Sequence, residues 1–150
     1  MAEDQVPYML VDIPGKGQGL VATMKLSPGT IILTEKPLIV IDTNAVDQII
    51  PKYKCLTDEK KSAMHSLFDP GEDLNPKYRL LTQDEAERQV LRIFEANSIS
   101  LCGHQEMNIH KTGLYRTISK INHSCTPNAL WTWVKEDSSK STKQVISILT

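Results

Sequence analysis

Cysteine is scarce in this chain of 150 residues: Cys55, Cys102 and Cys125 are odd in number and far apart. That excludes a disulfide framework and fits a reducing compartment. No Cys-x-x-Cys pair occurs, so no complete zinc site can be read. Charge of one sign is missing as well, because 17 basic side chains face 18 acidic ones for a net charge of -1. Such a balance creates no field that would draw the chain to nucleic acid or an anionic membrane, and neither is expected as a direct partner. No apolar run approaches ~18 residues. Met1 to Val11 holds acidic residues and a proline where a secretory leader would be basic and then apolar. A soluble protein of the cytoplasm or nucleus is expected. Repeats and low-complexity tracts are absent too. What remains is a chain that is 40% hydrophobic, long enough for one core and too short for two comfortable ones.

The order of patterns predicts an α+β, β-rich fold. Tyr8 to Ile13 is apolar, Gly15-Lys16-Gly17-Gln18-Gly19 interrupts it, and Leu20-Val21-Ala22-Thr23 resumes a strand-like run. This reads as strand, glycine turn, strand. Ser27-Pro28-Gly29-Thr30 puts proline and glycine at the two central positions of a type II turn. Short strands follow at Ile31 to Thr34 and Leu38 to Ile41. Beyond them the pattern turns helical. Thr57 is placed to cap a helix whose Ala63, Met64, Leu67 and Phe68 share a face, ended by Asp69-Pro70-Gly71. A second helix is predicted from about Gln83 to about Asn97. Thr82 and Glu85 form its capping box, and Ala86, Val90, Ile93, Phe94 and Asn97 line one stripe. Ser98 to Lys120 reads as loop plus a short strand, with Gly103 and Gly113 as breakers. Ala129, Trp131 and Trp133 then alternate with Leu130, Thr132 and Val134 as a strand, and a long polar loop, Lys135 to Lys143, leads to Val145-Ile146-Ser147-Ile148-Leu149. That final segment is expected to be an unpaired apolar edge. It reaches Thr150 without turn or cap, as the end of an incomplete domain would.

Specialised side chains concentrate in Asn122-His123-Ser124-Cys125-Thr126-Pro127-Asn128. Asn122 offers an amide that donates and accepts, His123 an imidazole, Cys125 a soft thiol, and Pro127 stiffens the backbone. Taken singly, His123 is a structural histidine or a ligand, and Cys125 a small buried hydrophobe or a reactive thiol. A thiol hydrolase is disfavoured, since no oxyanion donor or orienting acid is identifiable. The glycine stretch is either a turn needing positive φ or a place where backbone approaches a ligand. It is no dinucleotide fingerprint, because no helix follows Gly19. Asn97 is a helix C-terminal residue or a ligand contact. Trp131 and Trp133 share one strand face, as core or as an aromatic wall.

Taken in order, these blocks resemble a known family. Lys16-Gly17-Gln18-Gly19-Leu20-Val21-Ala22-Thr23, Ser27-Pro28-Gly29-Thr30, Glu35-Lys36-Pro37-Leu38, Asn97-Ser98, Gly113-Leu114-Tyr115 and the Asn122 to Asn128 run resemble SET-domain protein-lysine methyltransferases. The subfamily resembled carries a MYND zinc finger inside the SET fold. Asp42 to Glu95 departs from it, because one cysteine cannot build that finger, and the segment reads as a helical insert. The resemblance implies a partial SET fold: an N-terminal block over 8–41 with the glycine loop, an insert over 42–97, and the start of a C-terminal block over 98–150. It implies S-adenosyl-L-methionine as cofactor, contacted by Lys16, Gly17, Gln18, Gly19, Asn97, Asn122 and His123, and a protein substrate with a target lysine. Cys125 resembles a cysteine that joins three cysteines of a post-SET tail around zinc. No such tail is present, so no metal is expected. The family's catalytic tyrosine follows a later Gly-Glu-Glu-Leu block that these residues do not contain. Tyr8, Tyr53, Tyr78 and Tyr115 are therefore not assigned to catalysis, and the 150 residues alone are expected to be inactive. The alternative is a non-catalytic SET-like module that binds a partner or cofactor.

Overall fold

The computed structural model describes residues 6–101, 111–136 and 140–147, with side chains through Thr132. In chain order the elements are strands β1 (Tyr8–Ile13), β2 (Gly17–Ala22), β3 (Ile31–Glu35) and β4 (Ile39–Asp42), and helices α1 (Ile49–Lys54), α2 (Asp58–His65), α3 (Tyr78–Leu81) and α4 (Glu85–Asn97). Strands β5 (Ile99–Ser100), β6 (Lys111–Leu114), β7 (Ala129–Glu136) and β8 (Lys140–Ser147) follow. This is the α+β mixture of small antiparallel sheets that the sequence predicts. The chain divides into two units, one from residues 1–36 with 120–150 and the other from 37–119.

In the first unit β1 and β2 pair as a hairpin, Ile13 opposite Gly17. Its turn is Ile13-Pro14-Gly15-Lys16, closed by the Lys16 N–H on the Ile13 carbonyl at 2.9 Å, with Gly15 at φ 72°. Proline fixes the first central position and glycine alone adopts the second without strain. The predicted Ser27-Pro28-Gly29-Thr30 turn forms in the same way, Thr30 donating to Ser27 at 3.1 Å with Gly29 at φ 82°. A three-stranded antiparallel sheet has the order β3-β8-β7. Two expectations are corrected by it. Val145 is no edge, since it pairs with Leu33 on one side and Trp131 on the other. The long polar loop is short, since β7 runs to Glu136 and β8 starts at Lys140. Polar residues serve a strand as well as apolar ones when a neighbouring strand satisfies their backbone groups. Trp131, expected in the core as one of two readings, is 38% exposed on a strand at the edge of its sheet. The Trp133 side chain, Gly103 and Ile148 to Thr150 lie outside the described residues.

The second unit holds the apolar core. Ile39 and Ile41 of β4, Leu114 of β6, Ile49 of α1, Met64 of α2, Leu67, Tyr78 of α3, and Val90, Leu91, Ile93 and Phe94 of α4 form one buried cluster. Each such side chain contributes roughly 1.5–3 kcal/mol when fully buried. Helix α2 is capped as predicted, Thr57 Oγ1 accepting from Lys60 N–H. Its buried face ends at Leu67, however; Phe68 lies past the helix end and is 67% exposed. Helix α4 starts later than predicted, because Asp84, not Thr82, is its N-cap. Asp84 Oδ1 accepts from Glu87 N–H at 3.1 Å, an equally good cap with the acid three residues on. Thr82 supports this cap from outside. Its hydroxyl accepts from Asp84 N–H at 3.1 Å and donates to Glu87 Oε2 at 2.6 Å. Ala86 falls in the exposed first turn, while the buried arc widens to Leu91 and Arg92. The second sheet has the order β4-β6-β5. Gly113, expected as a breaker, sits inside β6 opposite Val40 and Ile99. A Cβ there would stand 3.0 Å from the Tyr115 ring, so this glycine allows close packing. Among the described residues no helix is long and apolar enough to cross a membrane.

Candidate functional site

The glycine stretch and the Asn122 run meet in the first unit. Gly17 opens β2 at φ 66°, and nothing lies within 4 Å of where its Cβ would stand. Its backbone is bare on that side. Gly19 is the opposite case: it is buried, and a Cβ would meet Ile13 Cδ1 at 2.3 Å and Asn122 Nδ2 at 2.7 Å. Ile13 reaches it diagonally across the hairpin, two residues beyond Val11, the register partner of Gly19, and the missing side chain leaves room for the Asn122 amide. That amide donates from Nδ2 to the Gln18 carbonyl at 3.1 Å, and Lys120 Nζ donates to Gln18 Oε1 at 2.9 Å. Two side chains from Lys120 to Asn122 thus grip one residue of the glycine loop.

Of the residues expected at a cofactor, Gln18, Gly19 and Asn122 are in contact, with Gly17 next in the chain. Lys16 and His123 are exposed beside them. His123 Nε2 lies 3.5 Å from Cys125 Sγ, both side chains in solvent, as residues two apart on an extended chain allow. Asn97 belongs to the second unit. It ends α4, is 8% exposed, and donates from Nδ2 to the carbonyls of Phe68 and Ile93, each at 2.7 Å. The amide protons tie the helix end to the chain after α2, which is a structural task. Among the described residues no group of three or more His, Cys, Asp or Glu is arranged to hold a metal ion.

Sequence reasoning missed the grip of Lys120 on Gln18, since a lysine and a glutamine 102 positions apart carry no pairwise signal. It also read Asp69 only as a helix stop. Asp69 accepts from Gly71 N–H at 2.9 Å, from Gln89 at 3.2 Å and from Arg92 Nε at 3.1 Å, and Arg92 Nη1 reaches Glu85 at 2.8 Å. Burial alone would raise the Asp69 carboxyl, yet these donors together hold it below the usual carboxylate range. Two phenols move the other way. Tyr78 is pushed well above its ordinary value by burial and by its bond to Glu95, and Tyr8 is raised by burial and by the charge of Glu35.

A sequence-family model described as SET domain matches residues 17–149, from Gly17 through the whole Asn122 run. The chain is also similar to the histone-lysine N-methyltransferase set5 of Schizosaccharomyces pombe (strain 972 / ATCC 24843), 30% identical over 126 residues that make up 84% of this chain and 34% of that protein. It spans about a third of the length of that curated relative.

Proposed function

Because the chain belongs to the SET-domain family, we propose that it carries one wall of the S-adenosyl-L-methionine site of a protein-lysine N-methyltransferase. The observation that carries this reading is the contact of Asn122 with Gln18 and Gly19, which joins two separate blocks of the sequence into one surface. That surface fits the cofactor. Open backbone at Gly17 admits close approach, exposed Lys16 offers an ammonium to a carboxylate, and exposed His123 offers ring nitrogens at the other flank.

The cofactor, when bound, supplies an activated methyl group on a sulfonium, so the protein's share is binding and alignment. Asn122 fixes the carbonyl of Gln18 and with it the path of the glycine loop. Lys16 draws in and holds an anionic group. Asn97 supports the second unit through its two backbone bonds. The substrate we propose is a lysine of a protein, with histone the first candidate through the likeness to set5, and the setting is nucleus or cytoplasm. Residues 1–150 contain no Gly-Glu-Glu-Leu block with a following tyrosine, and from them alone we expect cofactor binding without turnover.

The test is calorimetric titration of the 150-residue chain with S-adenosylhomocysteine, beside a radiolabel assay on histones. Saturable 1:1 binding that Asn122→Ala weakens at least tenfold supports the site. A folded chain that releases no heat refutes it. Methyl transfer by the 150 residues alone would refute the expected inactivity, and binding without transfer by a full-length form would favour a non-catalytic module.

A further inference from the structure

The proposed cofactor wall is built on a ribbon of two strands, and such a ribbon is marginally stable alone, so its attachments to the rest of the chain decide its shape. Residues Pro14 to Gln18 are all exposed. Gly17 sits among them at φ 66°, and a glycine takes negative φ about as readily, so its own chemistry does not fix the conformation that bares its backbone. The ladder joins Gly17 and Gln18 to Ile13 and Asp12, which belong to the same ribbon. Of Gly17-Gln18-Gly19 only Gln18 has a side chain, which makes it the one lateral handle on this stretch.

Two bonds from outside the ribbon use that handle. Asn122 Nδ2 donates at 3.1 Å to the Gln18 carbonyl, which belongs to the peptide leading on to Gly19. That bond does not reach the peptide leading back to Gly17. Lys120 Nζ donates to Gln18 Oε1 at 2.9 Å and takes hold of the same residue by its side chain. Its donor is an ion, and such bonds are roughly twice as strong as neutral ones, which matters at an exposed acceptor where water competes. With both bonds made, Gln18 pivots about its carbonyl only by breaking one of them. We propose that Lys120 is a positioning residue of the cofactor wall: by holding Gln18 Oε1 while Asn122 holds the Gln18 carbonyl, it keeps the Gly17 backbone in the open conformation that the ligand meets. This rests on the cofactor site proposed above, and it gives Lys120 no contact with the cofactor.

The test compares the 150-residue chain with Lys120→Met, Lys120→Arg, Gln18→Met and the double variant Lys120→Met with Gln18→Met. Gln18 is exposed and Lys120 half-buried, so these substitutions leave the core intact. Two readouts are taken: NMR relaxation of the Gly17 amide without ligand, and calorimetric titration with S-adenosylhomocysteine. Lys120→Met and Gln18→Met should each make the Gly17 amide more mobile and weaken the ligand about fivefold, the loss of one hydrogen bond. The double variant should lose no more than either alone, because both remove the same bond. Lys120→Arg, which keeps a charged donor, should retain most of the affinity. Additive losses, or full binding by Gln18→Met beside a loss in Lys120→Met, would make Lys120 a cation acting on the ligand directly and overturn the proposal. A Gly17 amide equally rigid in the methionine variants would overturn it too. If the unaltered chain binds no S-adenosylhomocysteine, the cofactor reading fails, and the Gly17 relaxation alone decides whether Lys120 holds the loop.

Discussion

Replacing Gly19 by alanine separates steric support of the glycine loop from backbone preference. The added methyl would stand 2.7 Å from Asn122 Nδ2 and 2.3 Å from Ile13 Cδ1, whereas ordinary carbon contacts begin near 3.4 Å. Both neighbours are side-chain ends, so they can yield: Ile13 by about 1.1 Å and Asn122 by about 0.7 Å on that measure. For Asn122 such a retreat stretches its 3.1 Å bond to the Gln18 carbonyl to as much as ~3.8 Å, beyond hydrogen-bonding range. Overpacking costs about 1–3 kcal/mol and the lost bond about 0.5–1.5 kcal/mol. Gly17→Ala is the comparison, because its site is empty and only its φ of 66° resists a side chain, at about 1–2 kcal/mol. Urea denaturation should therefore show a loss for both variants. Both should weaken S-adenosylhomocysteine, Gly17→Ala by covering the open backbone, but only Gly19→Ala should shift the Asn122 side-chain NH₂ resonances. An Asn122 signal that stays in place in Gly19→Ala would refute the reasoning, whatever happens to stability.

Asn97→Ala removes two bonds of 2.7 Å and strips the Phe68 and Ile93 carbonyls of a donor, so urea unfolding should report a loss of about 1–3 kcal/mol. A change below about 0.5 kcal/mol coupled with lost cofactor binding would transfer Asn97 from support to ligand contact. Gly17→Asn should recover part of the stability lost in Gly17→Ala, since asparagine tolerates left-handed backbone better than alanine does; equal midpoints for the two would count against a backbone cause. In acid, Asp69 titrates lower in the folded chain than in the unfolded one, so its contribution is full above about pH 5 and falls away as pH drops below about 4. Arg92→Met removes the foremost of the donors that depress it, leaving Gly71 and Gln89, and should partly flatten the fall of the urea midpoint across that window; an unchanged acid slope would show that the Arg92 pair does not couple to folding.

Local signals were legible where a residue type has a single conformational use. Proline before glycine placed the Ser27 to Thr30 turn, Thr57 placed a cap, and alternation placed β7, whereas the glycine stretch read as a turn from Gly15 to Gly19 gives Gly17 to Gly19 to β2. The errors arise where a residue type has more than one use or a partner lies far along the chain. Thr82 looked like a cap because Asp84 is also one, and only the folded hydroxyl shows how the two divide the work. The last strand looked like an edge because nothing local announces that β3, more than a hundred residues earlier, lies along it. Gly113 looked like a breaker because a glycine needed for the Tyr115 ring is written with the same letter as a glycine needed for a turn. At the candidate site, the glycine loop and Asn122 were each visible. Gln18 as the residue between them was named, but its two partners could be found only once the chain had folded.

The hydrogen bond from the Leu38 N–H to the Leu114 carbonyl, 2.7 Å long, fastens the two ends of the second unit together. Its consequence lies in the order of folding. Bringing Gln18 to Asn122 through some 80 disordered residues would carry a loop-closure cost of roughly 4 kcal/mol, whereas a folded second unit delivers its two ends already side by side. The glycine-loop surface should then assemble after the 37–119 core, on a slower phase of refolding. Damage at Leu38 or Leu114 would then reach the proposed cofactor wall through time, by delaying the meeting of the Gln18 and Asn122 segments.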